Sequence, residues 1–107
     1  MAPDIDASSV PDDARILDVR EPSEWVAGHV AGSQHLPIGE VVARVSEIDD
    51  EQGTVVVVCR SGHRSGQVAA WLQRQGYDAV NLAGGLDAWA QAGRPLVTDT
   101  GAPGRVA

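Results

Sequence analysis

The chain contains one cysteine, Cys59, which lies in the heptapeptide CRSGHRS of residues 59–65. A thiol attacks as its thiolate, and nearby cations or N–H donors lower its pKa from the free value of about 8.5. Arg60 and Arg64 bring two guanidinium groups to the segment. Gly62 permits the positive φ angle with which a loop turns successive N–H groups inward. The segment therefore predicts a nucleophilic Cys59 beside a small anion-binding loop.

Strong strand and helix signals flank this segment. Four consecutive valines, Val55–Val58, predict a central parallel strand that is buried on both faces. The apolar spacing from Ser65 to Gln75 predicts a helix that places the positive end of its dipole at the loop. Active sites in such sheets form at the carboxyl ends of the strands. A lone cysteine at a strand end is ordinarily a small buried hydrophobe, but this combination of features favours a reactive Cys59.

Strands and helices alternate along the whole chain. Ile5 is a candidate edge strand, an acidic turn covers 49–53, and a short helix opens at Gly84-Gly85 and ends at Gly93. The remaining strands are predicted at 15–19, 33–36, 54–58 and 78–82, and the remaining helices at 22–27, 39–48 and 65–75. This order predicts an α/β domain with a mainly parallel sheet and helices on both faces.

Length and charge exclude several classes of protein. The 107 residues suit one domain over 1–107, with a core at about 5–97 and a loose C-terminal tail at 98–107. A net charge of −7, with arginine as the only cation, disfavours nucleic acid and anionic membranes as partners. No apolar run reaches the roughly 20 residues of a membrane span, and residues 1–10 do not form a secretion signal. We therefore expect a cytoplasmic protein.

No metal or cofactor is predicted. One cysteine permits no internal disulfide and no zinc knuckle, and His29, His35 and His63 lack metal-ligand spacing. Gly84-Gly85 belongs to neither common phosphate-binding glycine motif. We expect His29 to be structural. His63, inside the loop, is predicted either to tune Cys59 near pH 6.5 or to face solvent.

Two charged residues close the first long strand. Asp18 and Arg20 are predicted to form an ion pair or hydrogen-bonded pair that holds neighbouring loops, with direct contact to substrate as the alternative. The three tryptophans are expected to pack in the core or against helices: Trp25, Trp71 and Trp89.

Three segments together resemble one known family. The first combines LDVR at 17–20, Glu24-Trp25 and GHVAGS at 28–33, ending at Leu36-Pro37; the second is the loop at 59–65; the third is NLAGGL at 81–86 with Trp89. In this order and spacing they are similar to the signatures of a rhodanese domain over about 90 residues. The resemblance implies a rhodanese-like three-layer sandwich, in which a five-stranded parallel sheet lies between helices.

The resemblance also implies a sulfurtransferase reaction. The Cys59 thiolate would attack the sulfane sulfur of thiosulfate or a similar anionic donor, release sulfite and become a persulfide. Cyanide, a small thiol or a protein sulfur acceptor would then remove that sulfur. Arg60 and Arg64 are expected to hold the donor's sulfonate oxygens, and the loop N–H groups to stabilise the anionic sulfur. The expected substrate-binding residues are Arg60, Ser61, Gly62, His63, Arg64 and Ser65.

Two other functions remain open from the sequence. Rhodanese-like domains also occur as non-catalytic binding or regulatory modules, although the cationic loop around Cys59 argues against that here. Relatives that act as phosphatases or arsenate reductases place five residues between cysteine and arginine. Only four residues separate Cys59 from Arg64, so the smaller loop favours sulfur transfer.

Overall fold

The structure is a computed structural model that describes residues 3–48 and 53–107. Most of the predicted acidic turn at 49–53 therefore lies outside the described residues. The strands are β1 (Asp4–Ile5), β2 (Arg15–Asp18), β3 (Gln34–His35), β4 (Val55–Val58) and β5 (Ala79–Leu82). The α-helices are α1 (Pro22–Ala27), α2 (His63–Arg74) and α3 (Gly85–Gln91). The strands form one parallel sheet in the order β1-β5-β4-β2-β3.

The four valines of β4 form the centre of the sheet, as predicted, with β2 and β5 on either side. Val55 and Val57 face the apolar cluster that contains α2, whereas Val56 and Val58 face the cluster that contains α3. Burying a valine side chain contributes roughly 1.5 kcal/mol or more, so β4 fixes helices against both faces. The three-layer α/β architecture is therefore confirmed.

The segment 39–48, predicted to be a helix, is not one. It forms two short 3-10 segments, Ile38–Glu40 and Val45–Glu47, joined by a turn. Val41 and Ile48 are buried, but Val42 between them is 67% exposed, so the valines do not share one helical face. β-Branched residues also have low helix propensity. The short turns allow Val41 and Ile48 to reach the core without a continuous helix.

Helix α2 begins two residues earlier than predicted. Gly62, at φ 97°, takes the left-handed conformation directly before the first helical residue. Only glycine adopts this conformation at low cost, so Gly62 lets the chain turn sharply from the loop into the helix. As a result, Arg64 and Ser65 lie on the first turn of α2 rather than in the loop.

The predicted loose tail at 98–107 is instead held to the domain by backbone hydrogen bonds. The Gly104 N–H donates to Leu96 O at 2.8 Å, and the Arg105 N–H donates to Ala27 O at 3.0 Å. The backbones of Gly28 and Gly104 pack together so closely that a Cβ on Gly28 would lie 2.5 Å from Arg105 N. Within the described residues, no helix is long and apolar enough to cross a membrane.

Candidate active site

Cys59 directly follows β4, at the carboxyl end of the central strand. The first N–H groups of α3 hold the backbone there: Leu86 N donates to Cys59 O at 2.9 Å, and Asp87 N donates to Arg60 O at 3.0 Å. Gly85 makes this approach possible, because an added Cβ would lie 2.5 Å from Arg60 O. The loop is therefore fixed between the end of β4 and the start of α3.

The sulfur of Cys59 is surrounded by hydrogen-bond donors. Gly62 N lies 3.1 Å from Sγ, Ser65 N lies 3.4 Å away, and the Ser65 hydroxyl lies 3.2 Å away. Burial alone would raise the pKa of the Cys59 thiol. The side chain and N–H of Ser65, with the N–H groups of Gly62 and Ser61, outweigh burial and hold the pKa below its ordinary value. The curled loop is thus built to carry negative charge on sulfur.

Arg64 is not free in this structure. Its Nη1 and Nη2 atoms donate to the two carboxylate oxygens of Glu24 on α1, at 2.7 and 2.9 Å. The contact joins α1 to α2 and holds the pKa of Glu24 at about 2, well below its usual range. The positive charge of Arg64 still interacts through space with Cys59. In this structure Arg64 therefore joins two helices, and its expected role in donor binding stays a prediction.

Three other residues of the predicted site lie at its surface. The side chains of Ser61 and His63 are exposed. Arg60 is also exposed, and its Nε lies 3.8 Å from an oxygen of Asp87. This ion pair is long and exposed to solvent, and such surface ion pairs are weak. Arg60 is consequently the loop arginine whose guanidinium can still turn toward a bound anion, and its role in donor binding stays a prediction.

Asp18 and Arg20 form the predicted supporting pair. Both are buried, and the Arg20 Nη2 lies 2.8 Å from an oxygen of Asp18. Arg20 also donates to the carbonyls of Glu24 and Gly28, at 3.2 and 2.7 Å. It therefore ties the end of β2 to Glu24 within α1 and to Gly28 just after α1, and through Glu24 to Arg64. This network sets where α1 stands relative to the loop.

A second polar network, absent from the sequence prediction, lies behind the sulfur. The Ser65 hydroxyl is 2.6 Å from Oδ1 of Asn81 on β5. The Asn81 Nδ2 donates to Asp4 Oδ1 at 3.1 Å and to Gly62 O at 3.2 Å. Asn81 pairs in register with both Asp4 and Val57, which places it on the face covered by α2. The sequence contained one indication of this network, namely the polar Asn81 within the otherwise apolar strand AVNL.

The histidines outside the loop are structural, as predicted for His29. The rings of His29 and His35 stack on Trp25, with centroids 3.6 and 4.7 Å away. His29 also bonds to Trp25 O at 2.9 Å, and His35 bonds to Arg20 O at 2.8 Å. Among the described residues, no group of three histidine, cysteine or acidic side chains is placed to hold a metal ion.

Comparison with known proteins identifies close relatives of this arrangement. A family model described as a rhodanese-like domain matches residues 5–92. A sulfurtransferase of Allochromatium vinosum is 42% identical over 91 residues, covering 84% of each chain. The thiosulfate sulfurtransferase GlpE of Pseudomonas paraeruginosa is 35% identical over 89 residues, covering 82% of this chain and 79% of that protein.

Solved structures give the same result for the fold. The crystal structure of a rhodanese-related protein from Thermoplasma volcanium superposes with a TM-score of 0.85 and 29% identity. The match covers 91% of this chain and 99% of that one. The five-stranded architecture built on β4 is therefore shared with a solved relative along nearly its whole length.

Proposed function

The chain belongs to the rhodanese-like domain family, and on that basis we propose that it transfers sulfane sulfur through a persulfide on Cys59. The single observation that carries the proposal is the set of N–H and O–H donors around Sγ, which favours the thiolate. The names of the sulfurtransferase relatives support the same reaction class. We propose thiosulfate, or a donor of the same chemical type, as the source of the sulfur.

The proposed reaction has two displacement steps. In the first, the Cys59 thiolate forms a bond to the sulfane sulfur, and the sulfur–sulfur bond of thiosulfate breaks with its electron pair leaving on sulfite. The negative charge then lies on the outer sulfur of the persulfide. In the second, cyanide or a thiolate bonds to that outer sulfur, and the electron pair returns to Cys59. Neither step needs an external oxidant or reductant, and the kinetics are ping-pong.

The donor's sulfonate is proposed to bind at the outer edge of the loop. Arg60 is exposed there, and so is His63 in the same segment. Charged hydrogen bonds from a guanidinium suit the oxygens of such an anion. The acceptor, a small thiol, cyanide or an exposed protein thiol, is proposed to approach the sulfur from the same edge of the loop.

The proposal is tested by intact-mass spectrometry after incubation with thiosulfate. We expect the mass to increase by one sulfur atom, and dithiothreitol to reverse the increase. Cys59→Ser should abolish both the increase and thiocyanate formation from cyanide, while Ser46→Ala, an exposed serine outside the loop, should retain both. A protein that gains no sulfur from thiosulfate or from an organic persulfide would contradict the proposal.

A phosphatase function is not favoured by the geometry. The arginine that would have to hold a phosphate, Arg64, has both Nη atoms on Glu24. We therefore expect no hydrolysis of a simple aryl phosphate above the Cys59→Ser background. The non-catalytic alternative predicts that Cys59 is dispensable, and the sulfur-loading experiment tests this directly.

A further inference from the structure

The Ser65 hydroxyl has one proton but two neighbours that can accept it. Its oxygen lies 2.6 Å from Asn81 Oδ1 and 3.2 Å from the Cys59 sulfur. A hydroxyl donates one hydrogen bond at a time, although it can accept others. The carbonyl of Asn81 and a thiolate at Cys59 therefore compete for the same proton.

The orientation of the Asn81 amide is fixed by its other neighbours. Its Nδ2 faces two groups that can only accept, the Asp4 carboxylate at 3.1 Å and the Gly62 carbonyl at 3.2 Å. Turning the amide over would place Oδ1 against both oxygens, with no hydrogen between them. Oδ1 must consequently face Ser65, whose hydroxyl is the donor at the shorter of its two contacts.

We propose that Asn81 is a positioning residue that holds the Ser65 proton away from sulfur until Cys59 ionises. While Cys59 is a thiol, Ser65 donates to Asn81 and its lone pairs face the sulfur. When Cys59 becomes a thiolate, the hydroxyl rotates and donates to sulfur, and Asn81 Oδ1 loses its donor. The loss partly offsets the stabilisation of the thiolate. Asn81 therefore restrains the ionisation that the loop N–H groups favour.

The functional meaning of this switch rests on the proposed sulfur transfer. In the persulfide the negative charge lies on the outer sulfur, so the inner sulfur no longer needs the Ser65 proton. The hydroxyl can return to Asn81, which lowers the energy of the loaded state relative to the free thiolate. Asn81 would thus disfavour the reactive free thiolate while leaving the persulfide stable.

The charge of Arg64 also interacts with Cys59, so the test must separate the neighbouring charged groups from Asn81. Asp4, at the far end of the network, is exposed and adds a negative charge beyond Asn81. On the elements that surround the loop, the charged or titratable side chains are Asp4 on β1, the buried Asp18–Arg20 pair at the end of β2, Glu24 on α1, His63 and Arg64 on α2, Asp87 on α3 and Arg60 in the loop itself.

The test is a double-mutant cycle on the pKa of Cys59, read from the pH profile of its alkylation by iodoacetamide. Cys59 is the only cysteine, so one thiol is measured. Asn81→Ala should lower the pKa of Cys59 by about 0.7 pH unit, because ionisation then no longer costs the neutral hydrogen bond between Ser65 and Asn81. In a Ser65→Ala background the same change should leave the pKa within about 0.3 unit.

Further variants keep the test decisive. Asn81→Leu preserves volume where Asn81→Ala proves unstable, and it carries the same expectation. Asp4→Ala, at an exposed position, should lower the pKa of Cys59 more in the wild-type background than in the Ser65→Ala background. In the wild type the substitution removes both the charge of Asp4 and an acceptor that fixes the Asn81 amide. Without the Ser65 hydroxyl, only the loss of the charge affects the pKa.

An unchanged or raised pKa in both Asn81 variants would overturn the proposal, as would an equal shift in both Ser65 backgrounds. Alkylation requires no sulfur donor, so the cycle is independent of the sulfur-loading experiment. A protein that shows the coupling but gains no sulfur would contradict the proposed function and leave the proton competition standing.

Discussion

Removing Asp18 should destabilise this domain more than any surface substitution. Arg20 is fully buried, and Asp18 meets its guanidinium with contacts of 2.8 to 3.1 Å. Breaking one partner of a buried pair leaves an unpaired charge, at a cost of about 3–5 kcal/mol. A domain of this size unfolds with roughly 5–15 kcal/mol. Asp18→Ala should therefore lower the free energy of unfolding by about 4 kcal/mol and Tm by about 20 °C.

The same reasoning predicts that removing both charges is less harmful than removing one. In Asp18→Leu/Arg20→Met no charge is buried, but the carbonyls of Glu24 and Gly28 lose their donors. We expect this double variant to lose about 2 kcal/mol. A matched control is Glu40→Ala, which breaks an exposed pair with Arg44 and should cost less than about 1 kcal/mol.

Urea denaturation followed by tryptophan fluorescence measures all four proteins, with a common slope as the check that unfolding remains two-state. Two results would refute the reasoning. One is a loss below about 1 kcal/mol for Asp18→Ala, which would mean that water or a rearranged acceptor satisfies Arg20. The other is a double variant that is less stable than Asp18→Ala, which would mean that the hydrogen bonds of Arg20, and not its charge, dominate.

Three further predictions concern the side chains that frame the loop. Glu24, with its pKa of about 2 against an ordinary 4.5, adds stability that is present above about pH 4.5 and lost as the pH falls toward 2. Arg64→Ala should therefore cost about 1 kcal/mol at neutral pH, allowing for partial exposure, and the cost measured in urea should shrink toward pH 3. Arg60→Ala should raise the KM for thiosulfate about fivefold with little change in kcat, measured as thiocyanate production. Gly85 has a φ of 63°, and an added Cβ would lie 2.5 Å from Arg60 O. Gly85→Ala should therefore lower the free energy of unfolding by about 3 kcal/mol in the same urea assay.

Each of these predictions has a result that contradicts it. An acid titration in which Arg64→Ala stays equally destabilised would show that the variant loses packing and not an ion pair. An unchanged KM in Arg60→Ala would assign donor binding to the loop backbone alone. A stable Gly85→Ala protein would mean that the contact between α3 and the loop can relax, and we would then expect its Cys59 to lose the depressed pKa.

The features that the sequence predicted correctly share a local origin. The four valines Val55–Val58 predict a buried strand by their composition, and Gly62 permits the turn after it. The strand and the turn each depend on residues within one short segment. Asp18 and Arg20, which also pair as predicted, are only two positions apart in the sequence. Local patterns of this kind reflect chain geometry and apolar burial, which a single sequence contains.

The sequence was insufficient where distant residues decide the outcome. The ion pair of Arg64 was not predicted, because its partner Glu24 lies 40 residues away on α1. The apolar spacing of 39–48 resembled a helix because the pattern does not reveal that Val42 faces solvent. The contact of Asn81 with Ser65 was not predicted, because it depends on the register of the sheet. Asn81 pairs with Val57, and Val57 lies two residues before Cys59 in the sequence.

These long-range contacts sharpen how the negative charge on Cys59 is supported. The sequence attributed it to inward N–H groups, the dipole of the following helix and two arginines together, but in this acidic protein a carboxylate lies near each arginine, Glu24 at Arg64 and Asp87 at Arg60. Backbone N–H groups are not drawn away in this manner, because the left-handed Gly62 and the first turn of α2 fix their direction. Oriented dipoles in a closed loop also need no reorganisation when charge develops on sulfur. The loop can therefore stabilise an anion in a protein whose net charge of −7 would repel it.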